Sequence, residues 1–151
     1  SYREIMTPIS YAKSDMLNIE EASKFWEQIG LKSGSDDINV EQDVKIRMFY
    51  GVDENGNNTH SKVELIEALS DNSPVAKFIS KRGQGIQQLA ITVNHIDELI
   101  NDLVNSGVRM INQKSSIGAG GHRIAFVHPE STGGVLVELV EREDVFSRSE
   151  D

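Results

Sequence analysis

The stretch LAITVNHIDELINDLVNSG, residues 89–107, decides the fold because it joins a strand pattern directly to a helix pattern. Its first residues, Leu89 to Val93, form an apolar run of strand length. From Ile96 to Val104, apolar residues recur at helical spacing, and Gly107 follows as a helix terminator. The segment therefore predicts a strand followed by an amphipathic helix.

Three further strands are predicted after this helix, at residues 108–111, 123–127 and 135–140. A glycine-rich loop, Ile117 to Gly121, separates the first two of them. This loop lacks the Lys-Ser/Thr ending of a phosphate-binding loop, and a strand rather than a helix follows it. We therefore expect a flexible hairpin tip over the functional site.

The first half of the chain begins in the same order, although residue identity between the halves is low. A short strand pattern spans Pro8 to Ala12. Asn18 then predicts a helix N-cap, with Glu21 in the capping-box position, and Gly30 predicts the end of that helix. The first half thus also starts with a strand and a helix.

A segment rich in Ser, Gly and Asp, residues 33–37, follows and is interpreted as a linker. Strands are predicted at 44–50 and 63–66, with a returning loop at 53–58. The sequence Asn72-Ser73-Pro74 opens a short helix that joins the two halves.

Two such halves, each with one apolar sheet face, pack most economically into one domain around a shared concavity. The pattern predicts an α+β fold and a single domain over residues 1–151. Its parts are module one at about 5–70, a linker helix at about 72–82 and module two at about 85–142.

Composition excludes several classes of protein. The 151 residues have no cysteine, which excludes disulfides and thiolate chemistry, and their net charge of −9 argues against a nucleic-acid binder. No apolar run reaches the roughly 18 residues that a membrane span needs, and Ser1 to Met6 lack the apolar core of a signal peptide. We expect a cytoplasmic protein with no nucleic-acid or membrane partner.

Glu138 is the first candidate for chemistry, because it interrupts the apolar strand VLVELV at residues 135–140. A carboxylate in such a strand is costly unless it is paired, bound to metal or protonated, so Glu138 is either a metal ligand or base, or a solvent-facing residue of a short strand. Glu64 is its counterpart in the first half and is either a functional residue or a solvent-exposed one. Glu67 must face the other way in a strand, so only one of the two can point inward. If Glu64 and Glu138 line one concavity, they titrate as a pair and can serve as acid and base.

Gln87 and Gln88, just before the strand at Leu89, could orient a carbonyl or bind a hard cation, or could simply be polar residues at a strand start. The histidines do not show the helical spacing of a zinc site, and structural roles are expected for them.

Several stretches carry a resemblance that spans roughly residues 5 to 142. In the second half and the joining helix they are SPVAKFI (73–79), KRGQGIQQLA (81–90), GAGGHRIAFVHP (118–129) and STGGVLVEL (131–139). In the first half they are EEASKFW (20–26) and EQDV (41–44). On these stretches the chain resembles the methylmalonyl-CoA epimerases of the vicinal-oxygen-chelate (glyoxalase/bleomycin-resistance/dioxygenase) superfamily.

The resemblance implies paired βαβββ modules whose sheets curl around a cavity. In the epimerases two His, one Gln and one Glu hold a divalent metal there, which polarises the thioester carbonyl while carboxylates move the α-proton. Carried over, the ligand Glu falls on Glu138 and the ligand Gln on Glu64. One ligand His falls on Gln88, and the other falls on Pro8, which has no donor.

The family's other catalytic carboxylate falls near Lys45 or Ile46, so it too is replaced. Since both imidazoles are gone, we expect the domain to work without a transition metal. The alternative is a divalent cation held by Glu64, Gln88 and Glu138: magnesium or manganese as a hard ion, or cobalt if the epimerase activity is intact.

The leading hypothesis is a divergent isomerase, epimerase, lyase or cyclase acting next to the carbonyl of an acyl thioester or a biosynthetic intermediate. Glu138 would abstract the proton, while Glu64, or Gln88 as amide donor beside Gln87, would steady the enolate or return the proton. The alternatives are a small-molecule-binding protein of the same fold, serving sequestration or resistance, and a true epimerase with an unusual site. The resemblance also implies a homodimer.

Overall fold

The computed structural model describes residues 3–9, 18–118 and 120–142, with the backbone alone for residues 3–9. The chain forms two compact units, residues 1–88 and residues 89–151. Both units combine helices with a sheet, which confirms the predicted α+β class. Within the described ranges, no helix is both long enough and apolar enough to cross a membrane.

The first unit places two helices against a four-stranded sheet. Its elements are β1 (Arg3–Ile9), α1 (Ile19–Gln28), β2 (Lys32–Asn39), β3 (Val44–Val52), β4 (Asn58–Ala68) and α2 (Pro74–Arg82). The strand order is β2-β3-β4-β1. Strand β1 runs parallel to β4, and the other neighbours are antiparallel.

The second unit repeats this arrangement around one helix, and its first strand begins at the boundary between the units. Its elements are β5 (Gln88–Val93), α3 (Ile96–Asn105), β6 (Ser116–Ile117), β7 (Arg123–Val127), a 3-10 turn (Pro129–Ser131) and β8 (Leu136–Glu141). The strand order β5-β8-β7-β6 matches that of the first unit when each sheet is traced from its first strand.

In the first unit, α1 and α2 cover opposite faces of β4, because successive side chains of a strand point to opposite sides. Val63 and Leu65 pack with Ile19 of α1. Ile66 and Ala68, whose side chains point to the other side of β4, pack instead with α2. The sheet therefore has an α1 face and an α2 face.

In the second unit, α3 packs on one sheet face. Its buried Ile96 and Ile100 form a core with Ala125 and Val127 of β7, and with Leu139 of β8. The amphipathic stripe predicted for residues 96–104 is therefore confirmed as the buried side of α3.

The predicted helix caps are also confirmed. The Asn18 side chain accepts a hydrogen bond from the Glu21 N–H at 3.0 Å. Gly30 and Gly107 follow their helices with φ of +98° and +90°, a conformation that glycine adopts without a steric penalty.

The interpretation of residues 33–37 as a linker is wrong, because they belong to strand β2. This strand lies at the sheet edge and has a bulge between Ser33 and Asp36. Its polar side chains are mostly exposed, so it lacks the apolar alternation by which a strand is recognised. It is held by its backbone pairing to β3 and by Asp36, which binds Lys45 and Arg47.

The strand predicted at residues 108–111 is also wrong, because only Met110 forms an isolated bridge, to Val127. The Asn112 side chain accepts a hydrogen bond from the Phe126 N–H at 2.9 Å, which takes up the donor that a continuing strand would use. The edge strand β6 forms later, at Ser116–Ile117, and so includes the first residue of the predicted loop 117–121. Residues 123–127 and most of 135–140 form strands as predicted.

Of the strand predicted from Pro8 to Ala12, Pro8 and Ile9 end strand β1, which begins earlier at Arg3. Residues 10–12 lie outside the described residues.

Candidate functional site

Glu64 lies in the middle of β4 on the α2 face of the sheet. It is only 7% exposed. Ile66 follows it on the same face, and Met48 of β3 is its partner across the strands. A carboxylate is costly to bury, so its presence here calls for a specific partner or a function. Between the two interpretations of Glu64 from the sequence, solvent exposure is excluded.

Lys62 and Tyr50 stand on the same face as Glu64 and were missed by the sequence analysis. They pair across β3 and β4, and the Lys62 ammonium lies 5.8 Å from the centre of the Tyr50 ring. Lys62 precedes Glu64 by two residues, so strand alternation alone places the two on one side. That spacing was the signal that could have found Lys62.

Glu138 occupies the corresponding strand of the second unit. In β8, Val137 and Leu139 pack on the α3 core, so Glu138 points to the opposite face together with Leu136 and Val140. Its partner across the strands is Phe126. Glu138 is half-buried among these apolar side chains rather than fully buried.

A second glutamate three residues further along each strand confirms that the two strands correspond. Glu67 accepts a hydrogen bond from the Ile19 N–H at 3.2 Å, at the start of α1. Glu141 accepts one from the Ile96 N–H at 3.0 Å, at the start of α3. Glu67 thus faces away from Glu64, as predicted, and each unit contains one helix-capping glutamate and one glutamate on the other face.

The two glutamines lie at the start of β5, and both are half-buried. Val93 packs with the α3 core, so alternation turns Gln88, Ala90 and Thr92 away from α3. Gln87 precedes the strand. The backbone of Pro8 pairs with that of Ile66 in the parallel β1–β4 ladder.

The resemblance carries the family's second catalytic carboxylate onto Lys45 or Ile46, and these two residues lie on opposite faces of the sheet. Lys45 lies on the α1 face, where its ammonium group is 3.3 Å from the carboxylate of Asp36. Ile46 packs against the α2 core. Both are thus engaged in structural contacts.

Two of the histidines have the structural positions expected for them. The His128 Nδ1 accepts a hydrogen bond from the Glu130 N–H at 3.0 Å and caps the 3-10 turn. His95 precedes α3 in the left-handed conformation, with φ of +49°.

Each unit also has a group of charged side chains on the sheet face covered by its helix α1 or α3, opposite the face of Glu64 or Glu138. Arg47 donates to Asp36 at 2.5 Å and to Glu20 at 2.7 Å. These hydrogen bonds hold the pKa values of both carboxyls below their usual range and raise the pKa of Arg47. In the second unit the backbone N–H and then the hydroxyl of Ser115 lower the pKa of Asp97.

The residues at the carried-over metal positions do not fit the centre that the resemblance implies. Pro8 has no side-chain donor, and the amide of Gln88 is a neutral oxygen ligand in place of an imidazole. Imidazole is the ligand that suits cobalt, nickel and zinc, so the donor set lacks its strongest members. Over the described side chains, no three or more His, Cys, Asp or Glu residues cluster as a metal site requires.

Comparisons with known proteins agree with the resemblance. The model of the Glyoxalase/Bleomycin resistance protein/Dioxygenase superfamily matches residues 15–126. The uncharacterised protein YqjC of Bacillus subtilis is 35% identical over 127 residues, 83% of this chain and 86% of that protein. The mitochondrial methylmalonyl-CoA epimerase of Dictyostelium discoideum is 29% identical over 126 residues, 83% of this chain and 72% of that protein.

Among solved structures, a variant of the Streptomyces coelicolor methylmalonyl-CoA epimerase in complex with 2-nitronate-propionyl-CoA superposes with a TM-score of 0.67. It is 26% identical, and the match covers 94% of each chain. The glyoxalase-like fold expected from the sequence is thereby confirmed.

Proposed function

This chain belongs to the glyoxalase/bleomycin resistance protein/dioxygenase superfamily, and we propose that it is an epimerase-like enzyme that moves a proton beside the carbonyl of an acyl thioester. Its relatives include methylmalonyl-CoA epimerases, and one structural neighbour contains a bound acyl-CoA analogue. A small-molecule thioester is therefore the proposed substrate class.

The observation that carries the proposal is the burial of Glu64 in the middle of β4. An apolar residue at this position would stabilise the sheet without the desolvation of a carboxylate. Glu138 stands at the corresponding position of β8, also among apolar neighbours. The presence of a carboxylate at both corresponding positions supports a chemical role rather than a packing role.

In the proposed reaction Glu138 removes the proton from the carbon next to the thioester carbonyl. Gln88, as an amide donor beside Gln87, or protonated Glu64 steadies the enolate, and protonated Glu64 returns its proton to the opposite side of that carbon. Glu138 then releases its proton to water and Glu64 takes one up, which restores the starting state. The bond broken and the bond formed are both C–H bonds, so no further reactant is consumed.

We propose that this proceeds without a transition metal, because the donor set lacks imidazole. Without a metal, the transition state loses roughly several kcal/mol of stabilisation of its negative charge. A substrate with a more acidic proton than a simple thioester, such as a malonyl-type thioester, is therefore favoured.

Proton exchange tests the proposal directly. Methylmalonyl-CoA and other 2-substituted malonyl-CoA thioesters are incubated with the protein in D₂O containing a chelator, and deuterium at the α-carbon is measured by mass spectrometry. We expect exchange above the rate without protein, and Glu138→Gln and Glu64→Gln to reduce it by roughly 10²- to 10⁴-fold.

The matched control is Glu98→Gln, which removes a carboxylate from the exposed side of α3. It should retain full exchange, and circular dichroism confirms that all three variants fold. Tight thioester binding with no exchange would instead establish a binding protein, and exchange that requires added cobalt, manganese or magnesium would overturn the metal-free mechanism.

The same proposal includes a homodimer, which the family resemblance implies, and a cytoplasmic location, which is expected from the composition. Light scattering of the purified chain tests the first, since a dimer doubles the mass of 16.8 kDa. Fractionation of the source cells tests the second.

A further inference from the structure

Two long acid-free segments interrupt the acidic chain, residues 72–96 and residues 103–129. In the second segment Arg109 and Arg123 pair with Glu130 and Asp97, whereas the first segment has its cations on one helix.

The sequence has 24 acidic and 15 basic residues, yet the stretch from Asn72 to Ile96 contains no Asp or Glu. Lys77, Lys81 and Arg82 all lie within it, and all three belong to α2. The local charge is therefore opposite in sign to that of the whole protein.

Helix α2 packs on the sheet face that carries Glu64. Its Val75 and Ile79 contact the core formed with Ile66 and Ala68, which follow Glu64 on the same side of β4. At about 3.3 Å per residue, Ala68 lies about 13 Å along the strand from Glu64. The cations of α2 and the buried carboxylate thus occupy one face of the first unit.

The cations of α2 are turned toward solvent. Lys77 and Lys81 are exposed, one helical turn apart, and neither forms an ion pair with any residue that the structure describes. Like charges at this spacing destabilise a helix. The guanidinium of Arg82 lies 5.9 Å from the ring of Phe78, which keeps a third cation close to the helix.

Helix electrostatics account for part of this pattern only. Cations in the last turn are favoured by the helix dipole, which explains Lys81 and Arg82. The dipole does not explain Lys77, which lies nearer the start of the helix and forms no ion pair with a described residue. An anionic ligand explains all of these features together.

We propose that the exposed side of α2 binds the phosphate groups of an acyl-CoA whose thioester end reaches the Glu64 face. Coenzyme A has a diphosphate and a 3′-phosphate, separated from the sulfur by a long flexible arm. A cationic helix displaced along the sheet from the carboxylate suits a ligand with its charge and its reactive end far apart. This inference rests on the proposed function, because it names the part of the same substrate that lies away from the reacting carbon.

Binding of the nucleotide portion alone is the first test. Coenzyme A and adenosine 3′,5′-bisphosphate are titrated by calorimetry into the wild type and the double variant Lys77→Gln/Lys81→Gln. Exposed charge pairs of this kind change affinity by a few-fold each, so we expect the dissociation constant to rise about 10-fold at low salt. Raising the ionic strength should weaken wild-type binding and narrow the difference.

The control variant is Lys24→Gln/Lys32→Gln, which changes the net charge equally. Both lysines are exposed in the first unit, on α1 and on β2. It should bind like the wild type. An equal loss in both double variants, or no wild-type binding of coenzyme A, would overturn the proposal.

Kinetics then separate this inference from the proposed function. The Lys77→Gln/Lys81→Gln variant should raise the KM of deuterium exchange about 10-fold for an acyl-CoA, with kcat unchanged. It should leave exchange of the matching N-acetylcysteamine thioester, which has no phosphate, unchanged. Lysine-dependent binding of coenzyme A without any exchange would reject the proposed function and retain the phosphate site. Deuterium exchange with the same KM in wild type and in the Lys77→Gln/Lys81→Gln variant would retain the proposed function and reject the phosphate site.

Discussion

Helix α1 of residues 1–88 and helix α3 of residues 89–151 begin in the same way. Fully buried isoleucines, Ile19 and Ile96, occupy the first helical position, and each donates its N–H to a glutamate of the last strand, Glu67 or Glu141. In both units an arginine forms an ion pair with an acidic residue in the first turn of the helix. Arg47 of β3 pairs with Glu20 of α1, and Arg123 of β7 pairs with Asp97 of α3.

The units differ in how far these contacts are shielded from water. The side chain of Arg47 is 13% exposed, whereas that of Arg123 is 43% exposed. Strand β2 has eight residues and β6 only two, so the second unit has less edge structure beside its arginine. Internal repetition thus keeps the positions of the contacts, while the length of the edge strand decides how much each stabilises the fold.

The largest effect is expected at the position where the units are most alike. Ile19→Ala and Ile96→Ala each remove a buried side chain while keeping the backbone donor to the glutamate. Each should lower the free energy of unfolding by about 2–5 kcal/mol in urea denaturation. Ile117→Ala, at an exposed position, is the control and should change it by less than about 0.5 kcal/mol. A small effect at only one of the two buried sites would show that the units are not equivalent.

The arginines should separate the units. Arg47→Met should cost about 2 kcal/mol, because it breaks a shielded network and leaves Asp36 without its main partner. Arg123→Met should cost less than about 1 kcal/mol, since exposed pairs contribute little. Equal losses in urea denaturation would contradict the role assigned to shielding.

The dependence on pH sharpens the same contrast. The pKa of Asp36 is lowered chiefly by Arg47, so its stabilisation is present above the ordinary carboxyl range near pH 4. It is lost as the pH falls through the lowered value. The difference between wild type and Arg47→Met should therefore shrink as the pH falls below about 4. The pKa of Asp97 is lowered chiefly by Ser115, so Arg123→Met should leave most of its pH dependence intact.

The smallest effect is expected at the residues that precede the helices. Asn18→Ala removes a side-chain cap and should destabilise by about 1 kcal/mol. His95 has no side-chain cap and is left-handed, so His95→Gly should stabilise by roughly 0.5–1 kcal/mol. Thermal unfolding followed by circular dichroism measures both, and loss of stability in His95→Gly would indicate an unseen role for the imidazole.

Apolar periodicity and capping residues made most of the fold predictable, as α1 and α3 show. Strand β2 was missed because polar residues such as Asp36 hold an edge strand by backbone pairing and ion pairs, which leave no periodic signal. Residues 108–111 were overpredicted because the side chain of Asn112 competes for a ladder donor. Such a contact between residues distant in sequence is invisible in local patterns.

For the candidate site, the structure bears only on the burial and register of the residues that the sequence suggested. Glu64 and Glu138 were selected from their apolar surroundings, and the burial of Glu64 agrees with that reasoning. Lys62 was missed because lysines are ordinarily exposed, although its spacing of two residues from Glu64 places it on the same face, where it pairs with Tyr50 across the strands. The catalytic roles of the glutamates, Gln87 and Gln88 stay predictions that the exchange experiment tests.

The parallel pairing of β1 with β4 sets the timing of folding during synthesis. Residue Ile9 leaves the ribosome before its partner Glu67 has been translated, and at typical rates the wait is roughly 3–12 seconds. For that interval the N-terminal strand is an open edge that other nascent chains could join. Pro8 lacks a backbone N–H and so interrupts that edge. Pro8, onto which the resemblance carries a family metal ligand, thereby makes the waiting strand a poorer template for misassembly.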